Sequence, residues 1–232
     1  MKSADEILKE VTFIMDSNWN VRTGRDVPDL ESLRLNNDDA IEIEGAVLYA
    51  DMRGSTNLVQ KHTDKFAAKM YKVFLRIASN VVRNNNGVIT SFDGDRIMAV
   101  FYGNSKCSDA AKTGLQLNAV IRDCNEKLIK RKFATNYQIN YAVGVDVSKL
   151  FVVRTGIRGA NDLAWIGTAA NNAAKLSELR SYEEKTFITQ RVFTRLATPS
   201  KYSANGGRCM WNELDMKIMG ETIFGSSWFW SF

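Results

Sequence analysis

Leu48-Tyr49-Ala50-Asp51-Met52-Arg53-Gly54-Ser55-Thr56 ends an apolar run on a carboxylate and turns at once on a glycine and two hydroxyl residues. A second aspartate stands in a matching setting, Ser91-Phe92-Asp93-Gly94-Asp95-Arg96-Ile97-Met98-Ala99-Val100-Phe101, where a Gly-Asp turn separates two apolar runs. Working outward, the pattern predicts a strand over Gly45–Ala50. A helix follows from about Asp64, with Phe66, Met70, Val73, Phe74, Ile77 and Val81 at helical spacing. Gly87, after three asparagines, suits a left-handed cap. Strands over Val88–Phe92 and Ile97–Phe101 then make a hairpin with Asp93-Gly94-Asp95 at its tip. A second helix runs from about Ser108, with Ala110, Leu117, Ile121, Cys124 and Leu128 on one face. A strand over Tyr137–Val147, a shorter one over Leu150–Arg154 and a helix from Thr168 to about Arg180 complete the core, and a small β-rich tail closes the chain.

Strand–helix–strand–strand–helix–strand is the ferredoxin-like βαββαβ order, an α+β fold. A right-handed crossover makes the first two strands parallel, and the third inserts antiparallel between them. The hairpin tip then lies beside the end of the first strand, so Asp51 and Asp95 become neighbours. Upstream, Ser3-Ala4-Asp5-Glu6 is a capping box. It opens a helix with Ile7, Val11, Ile14 and Met15 on one stripe, to pack on the domain or against a second chain. Asn18 to Leu35 reads as an irregular connector. Residues 1–43 are thus a helical extension, and 44–232 one catalytic-type domain.

Two adjacent carboxylates repel unless a cation lies between them. Oxygen ligands suit Mg²⁺ or Mn²⁺, the main-chain carbonyl of Met52 can add a ligand, and two ions can share the pair. Amides of Arg53, Gly54, Ser55 and Thr56, at a helix start, suit phosphate oxygens. The alternative is that Asp51 only caps the next helix and Asp93-Gly94-Asp95 is only turn chemistry. In Trp165-Ile166-Gly167-Thr168-Ala169-Ala170-Asn171-Asn172-Ala173-Ala174-Lys175, Thr168 suits an N-cap. Asn171 and Lys175 are four apart and share one helix face, an amide for a ribose and a cation for a phosphate.

The 232 residues carry 31 Lys and Arg against 26 Asp and Glu, a net charge of +5 that suits polyanions without choosing among them. The three cysteines, Cys107, Cys124 and Cys209, match no metal spacing and read as reduced thiols of a cytoplasmic protein. No apolar run is long enough to span a membrane, and the N-terminus lacks a signal-peptide core. No stable membrane anchor is expected. The aromatic end, Ser227-Trp228-Phe229-Trp230-Ser231-Phe232, reads as a last strand. The single histidine, His62, reads as a surface residue.

Together these elements, from about Glu44 to Lys217, resemble the catalytic domain of class III nucleotidyl cyclases. The resemblance implies two divalent metals on Asp51 and Asp95, with Asn171 orienting the ribose and Lys175 standing where the family usually has arginine. It implies a head-to-tail homodimer whose two composite sites each draw metal aspartates from one chain and the Asn/Lys helix from the other. A late lysine for the terminal phosphates is best matched by Lys217. Purine cyclases of the family read the base three residues before the Gly-Asp pair and three before the later glycine; here these are Ser91 and Ala164, neither a purine-reading side chain. Asp93 can accept a cytosine amine, and Arg96 or Ser91 can donate to a uracil carbonyl, with Tyr49 nearby. More narrowly, Trp19, Gly24-Arg25-Asp26-Val27-Pro28 and Leu48-Tyr49-Ala50-Asp51 followed by Gly54-Ser55-Thr56 resemble the stand-alone pyrimidine cyclases of bacterial Pycsar antiphage systems. That implies conversion of UTP to cyclic UMP, which acts on a separate effector. CTP or purine triphosphates as substrate, or a degenerate nucleotide-binding regulator, are the alternatives. An RNA-binding module shares the sheet type, but the acidic pair opposes it and no nucleic-acid partner is expected.

Overall fold

The computed structural model describes residues 2–35, 38–204 and 207–232. Two compact units emerge, Gly45–Ser148 with Thr168–Phe232, and Met1–Glu44 with Lys149–Gly167.

β2 (Asp39–Met52), in the larger unit from Gly45 onward, leads through α2 (Ser55–Lys61) and α3 (Asp64–Asn84) to the hairpin β3 (Val88–Asp93) and β4 (Arg96–Phe101). Next come α4 (Lys106–Asp123), a π-helical turn over Cys124–Ile129, α5 (Lys130–Phe133) and β5 (Tyr141–Ile157). The sheet order β3-β4-β2-β5 is that of the ferredoxin-like core, and β4 lies antiparallel to both β2 and β3. β7 (Thr186–Thr189), β9 (Glu221–Ser226) and β8 (Asn212–Ile218) extend it beyond β5. The tail is less purely β than expected, because α7 (Gln190–Arg195) and α8 (Thr198–Lys201) interrupt it.

Strand alternation divides the sheet into two faces. Ala46, Leu48, Ala50 and Met52 of β2, Ile97, Ala99 and Phe101 of β4, and Val143, Val145 and Val147 of β5 join Met70, Phe74, Leu115, Leu117 and Ile121 of the helices in one buried core. Tyr49 and Asp51, on the intervening positions, belong to the opposite face. So does Gly144, which supports α6 (Thr168–Ser177).

Several local expectations change. Asn86, not Gly87, takes the left-handed conformation, with φ 63°. Gly87 is needed for a different reason: a Cβ there would lie 2.7 Å from both Phe101 and Val82. The π turn shifts the helical phase, so Ile129 is buried and Leu128 is 63% exposed. The two expected strands from Tyr137 to Arg154 are one, β5, and it begins at Tyr141. Residues 227–232 form no strand. They lie over α4, where Trp230 N–H donates to Leu115 O (3.1 Å) and Asn118 Nδ2 donates to Trp228 O (2.9 Å).

In the smaller unit, α1 (Ala4–Asp16) has the predicted capping box, yet none of its residues is buried, and its apolar stripe of Ile7, Val11, Ile14 and Met15 is exposed. The connector carries β1 (Asn20–Thr23), which pairs parallel with the start of β2, and a 3₁₀ turn over Leu30–Ser32. β6 (Ala160–Ile166) pairs antiparallel with the end of β5.

Candidate active site

Asp51 ends β2, and its strand register places Arg96, the first residue of β4, directly opposite. Asp93 pairs with Arg96 from the other side. The next row on the same face is Tyr49, Met98 and Ser91. The candidate base-side residues Tyr49, Ser91 and Asp93 therefore share one sheet face with Asp51, two rows deep. Gly94 makes this possible by turning the hairpin with φ 60°. The Arg96 guanidinium lies 5.9 Å from the centre of the Tyr49 ring and pairs with Glu178 at 3.4 Å.

Asp95 sits at the hairpin tip, beside Asp51. Burial pushes the Asp51 carboxyl above the ordinary carboxylate range, and the charge of Asp95 pushes it further in the same direction. Arg180 opposes this, with its Nη2 donating to Asp51 Oδ2 at 3.2 Å. The Oδ2 atom of Asp95 is buried without a hydrogen-bond partner among the described residues. A buried, unpaired carboxylate oxygen is costly, and a divalent cation between the two aspartates would satisfy it. The residues therefore fit a metal, with Asp51, Asp95 and the Met52 carbonyl as the oxygen donors. Among the described residues no cluster of three or more His, Cys, Asp or Glu gathers anywhere. Remaining ligands must come from carbonyls, water or substrate, as hard, reluctantly dehydrated Mg²⁺ allows.

The phosphate turn differs from expectation at its first residue. The amide of Arg53 donates to Asn140 O at 2.8 Å and is not available to a ligand. Its side chain is buried and donates to the carbonyls of Tyr182 and Glu184, 3.3 Å each. Arg53 thus ties the segment after α6 to the end of β2. Gly54 caps α2 in the left-handed region, φ 77°. The amides of Ser55 and Thr56 open that helix, where intrahelical partners are lacking.

α6 presents Asn171 and Lys175 outward, while Asn172, Ala173, Leu176 and Ser177 are buried. Three contacts fix this rotation. Gly144 lets the helix backbone approach β5 so closely that a Cβ there would meet Ala173 O at 2.2 Å. Ser148 Oγ accepts from the amide of Ala169 at 3.1 Å, a cap that Thr168 had been expected to provide. Fully buried Asp146 accepts from Asn172 Nδ2 (2.8 Å), Thr189 Oγ1 (2.5 Å) and Arg191 Nη2 (2.6 Å).

Lys217 is exposed on β8, on one strand face with Glu213 and Asp215. In sheet order β8 lies four strands from β2, about 19 Å at ordinary strand spacing. One chain does not bring Lys217 to its own Asp51. Ala164 lies on β6 opposite Val153, in the smaller unit.

No family model matches the chain. Curated relatives match it end to end. The chain is 42% identical over 232 residues to the uridylate cyclase of Burkholderia cepacia, covering all of both chains. It is 38% identical over 228 residues to the uridylate cyclase of Xanthomonas perforans, covering 97% of each. The chain belongs to the uridylate cyclase family. Its fold is also that of solved class III cyclases. The adenylyl cyclase CyaB from P. aeruginosa matches with TM-score 0.64 at 17% identity, over 81% of this chain and 95% of that one. The dimeric guanylyl cyclase domain of the RhoGC fusion protein from Blastocladiella emersonii matches with TM-score 0.62 at 12% identity, over 80% and 97%.

Sequence reasoning missed Asp146, Asn172 and Arg180. The first sits in an apolar strand, where a lone aspartate between valines was itself the signal, because a buried charge demands partners. Nothing local in the sequence marked Arg180.

Proposed function

We propose that the protein converts UTP to 3′,5′-cyclic UMP and pyrophosphate, acting as a homodimer with two composite sites. The observation that carries this reading is the end-to-end similarity to two uridylate cyclases. It is supported by the paired Asp51 and Asp95, whose buried, unpartnered oxygen fits a cation. The ribose 3′-oxygen attacks the α-phosphorus and loses its proton to water. The bond to the bridging oxygen of the β-phosphate breaks, and pyrophosphate leaves. Two Mg²⁺ or Mn²⁺ ions, when bound, would acidify that hydroxyl and neutralise the leaving group.

The chain's own residues do the rest. Gly54, Ser55 and Thr56 bind phosphate oxygens. Asn171 orients the ribose, and Lys175 holds charge at the α-phosphate. Their outward placement on α6 supports delivery to the partner's Asp51, and the same arrangement gives Lys217 a role in trans at the terminal phosphates. Tyr49, Ser91, Asp93 and Arg96 line the base side, on the sheet face that carries Asp51. We further infer a cytoplasmic second-messenger role in antiphage defence through a separate effector, on resemblance to Pycsar cyclases. Among the described residues no helix is long and apolar enough to cross a membrane.

Product analysis tests the reaction. Purified protein is incubated separately with UTP, CTP, ATP and GTP, with Mn²⁺ and with Mg²⁺, and products are identified by mass spectrometry. Cyclic UMP is expected. Cyclic CMP alone would refute the base assignment, a purine product would refute the reading of Ser91 and Ala164, and no product from folded dimer would overturn the enzymatic reading.

A further inference from the structure

Arg180 follows α6 and lies on Asp51. Its Nη2 donates to Asp51 Oδ2 at 3.2 Å and its Nη1 to Ser177 O at 3.0 Å, while 45% of its side chain remains exposed. The second contact, with a longer one from Nη1 to Leu179 O at 3.5 Å, holds the guanidinium at the last carbonyls of a helix, an end that favours a cation. The backbone nearby is pinned, because Arg53 holds the carbonyls of Tyr182 and Glu184. A change of partner by Arg180 therefore needs only side-chain rotation.

The other cations near Asp51 are engaged elsewhere. Arg53 is buried against main-chain carbonyls, and Arg96 is paired with Glu178 beside Tyr49. Lys217 is four strands away within the chain. A triphosphate bound with its metals on Asp51 needs cationic donors at its β- and γ-phosphates, and a planar guanidinium meets phosphate oxygens in pairs. A divalent ion and a guanidinium cannot share one carboxylate oxygen at contact distance without strong mutual repulsion.

We propose that Arg180 and a divalent cation compete for Asp51, and that the guanidinium the cation releases binds the polyphosphate in the same protomer. The proposal rests on the reading of Asp51 as a metal ligand. It gives the site a built-in exchange: arginine neutralises the carboxylate before loading and moves to the leaving group after it.

The test uses full-length protein and the variants R180Q, R180K and D51N, each first shown to keep the wild-type circular dichroism. Nucleotide-free Mn²⁺ titration followed by electron paramagnetic resonance should show R180Q binding Mn²⁺ about two- to fivefold more tightly than wild type, since a half-exposed ion pair is lost. With Mn²⁺ saturating, calorimetry with inorganic tripolyphosphate should show R180Q weakened about tenfold or more, and R180K should recover part of that loss. Unchanged Mn²⁺ affinity in R180Q, or tighter Mn²⁺ with unchanged tripolyphosphate affinity, would overturn the proposal while D51N still loses Mn²⁺. If D51N binds Mn²⁺ like wild type, the metal reading of Asp51 falls, and this proposal with it.

Discussion

Replacing Gly144 by alanine puts one methyl group where α6 now touches β5. The added carbon would stand 2.2 Å from Ala173 O, 2.5 Å from Leu176 Cβ and 2.8 Å from Ser177 N. Two of these atoms are helix backbone, so no side chain can rotate away. Restoring ordinary contact of 3.4 Å to Ala173 O requires α6 to retreat by about 1.2 Å. Overpacking of this kind costs about 1–3 kcal/mol, which for a chain of this size lowers Tm by roughly 2–12 °C. The same movement carries Asn171 and Lys175 with it. A misplacement of about 1 Å costs on the order of 10²-fold in rate. G144A should therefore lose about two orders of magnitude in kcat for cyclic UMP formation while Mn²⁺ binding at Asp51 stays near wild type. The assay pairs turnover, read by chromatography of product, with thermal denaturation. Wild-type turnover and Tm in G144A would refute the claim that this contact sets the position of the helix.

Two further outcomes follow from buried charge. The Asp51 carboxyl lies above its ordinary value of 3.8, because of burial and then Asp95. The unfolded chain therefore ionises first as pH rises, and stability falls between the ordinary and the folded value, staying lower above both. Metal-free D51N should have a higher Tm than wild type at neutral pH and lose that advantage near pH 3.8; saturating Mn²⁺ should reverse the order through linkage. An equal or lower metal-free Tm at neutral pH would count against Asp51 being strained. D146A removes the acceptor shared by Asn172, Thr189 and Arg191 and leaves a part-buried guanidinium with Thr168 Oγ1 at 3.2 Å and Glu221 at 3.4 Å. It should cost about 3–5 kcal/mol in urea denaturation, and a loss below about 1 kcal/mol would show that the network does not hold α6.

The core was legible because its periodicities are clean. The even positions of β2 from Ala46 to Met52 are apolar and buried, and α3 keeps helical spacing from Phe66 to Val81. The Asp51 and Asp95 pair followed from topology alone. What escaped notice depends on contacts that spacing does not encode. Ser148 and Lys149 looked like a strand break, yet β5 runs through them without interruption. Leu128 fitted the helical face until the π turn moved Ile129 into its place. Arg53 was read by its position in a phosphate turn, but the amide is taken by Asn140 and the side chain by the segment after α6. Each depends on a partner far away in sequence.

The two faces of β2 have an evolutionary consequence. Packing occupies alternate residues and chemistry the residues between them, with Tyr49 and Asp51 on one side and Leu48, Ala50 and Met52 on the other. Substitutions at Tyr49, or at its row partner Ser91, change the face that carries Asp51 while leaving the buried cluster intact. The proposed site can therefore change residue by residue without first disturbing the fold. An insertion or deletion within the strand has no such freedom, because a shift of one residue would turn Asp51 into the core and a core side chain onto the opposite face.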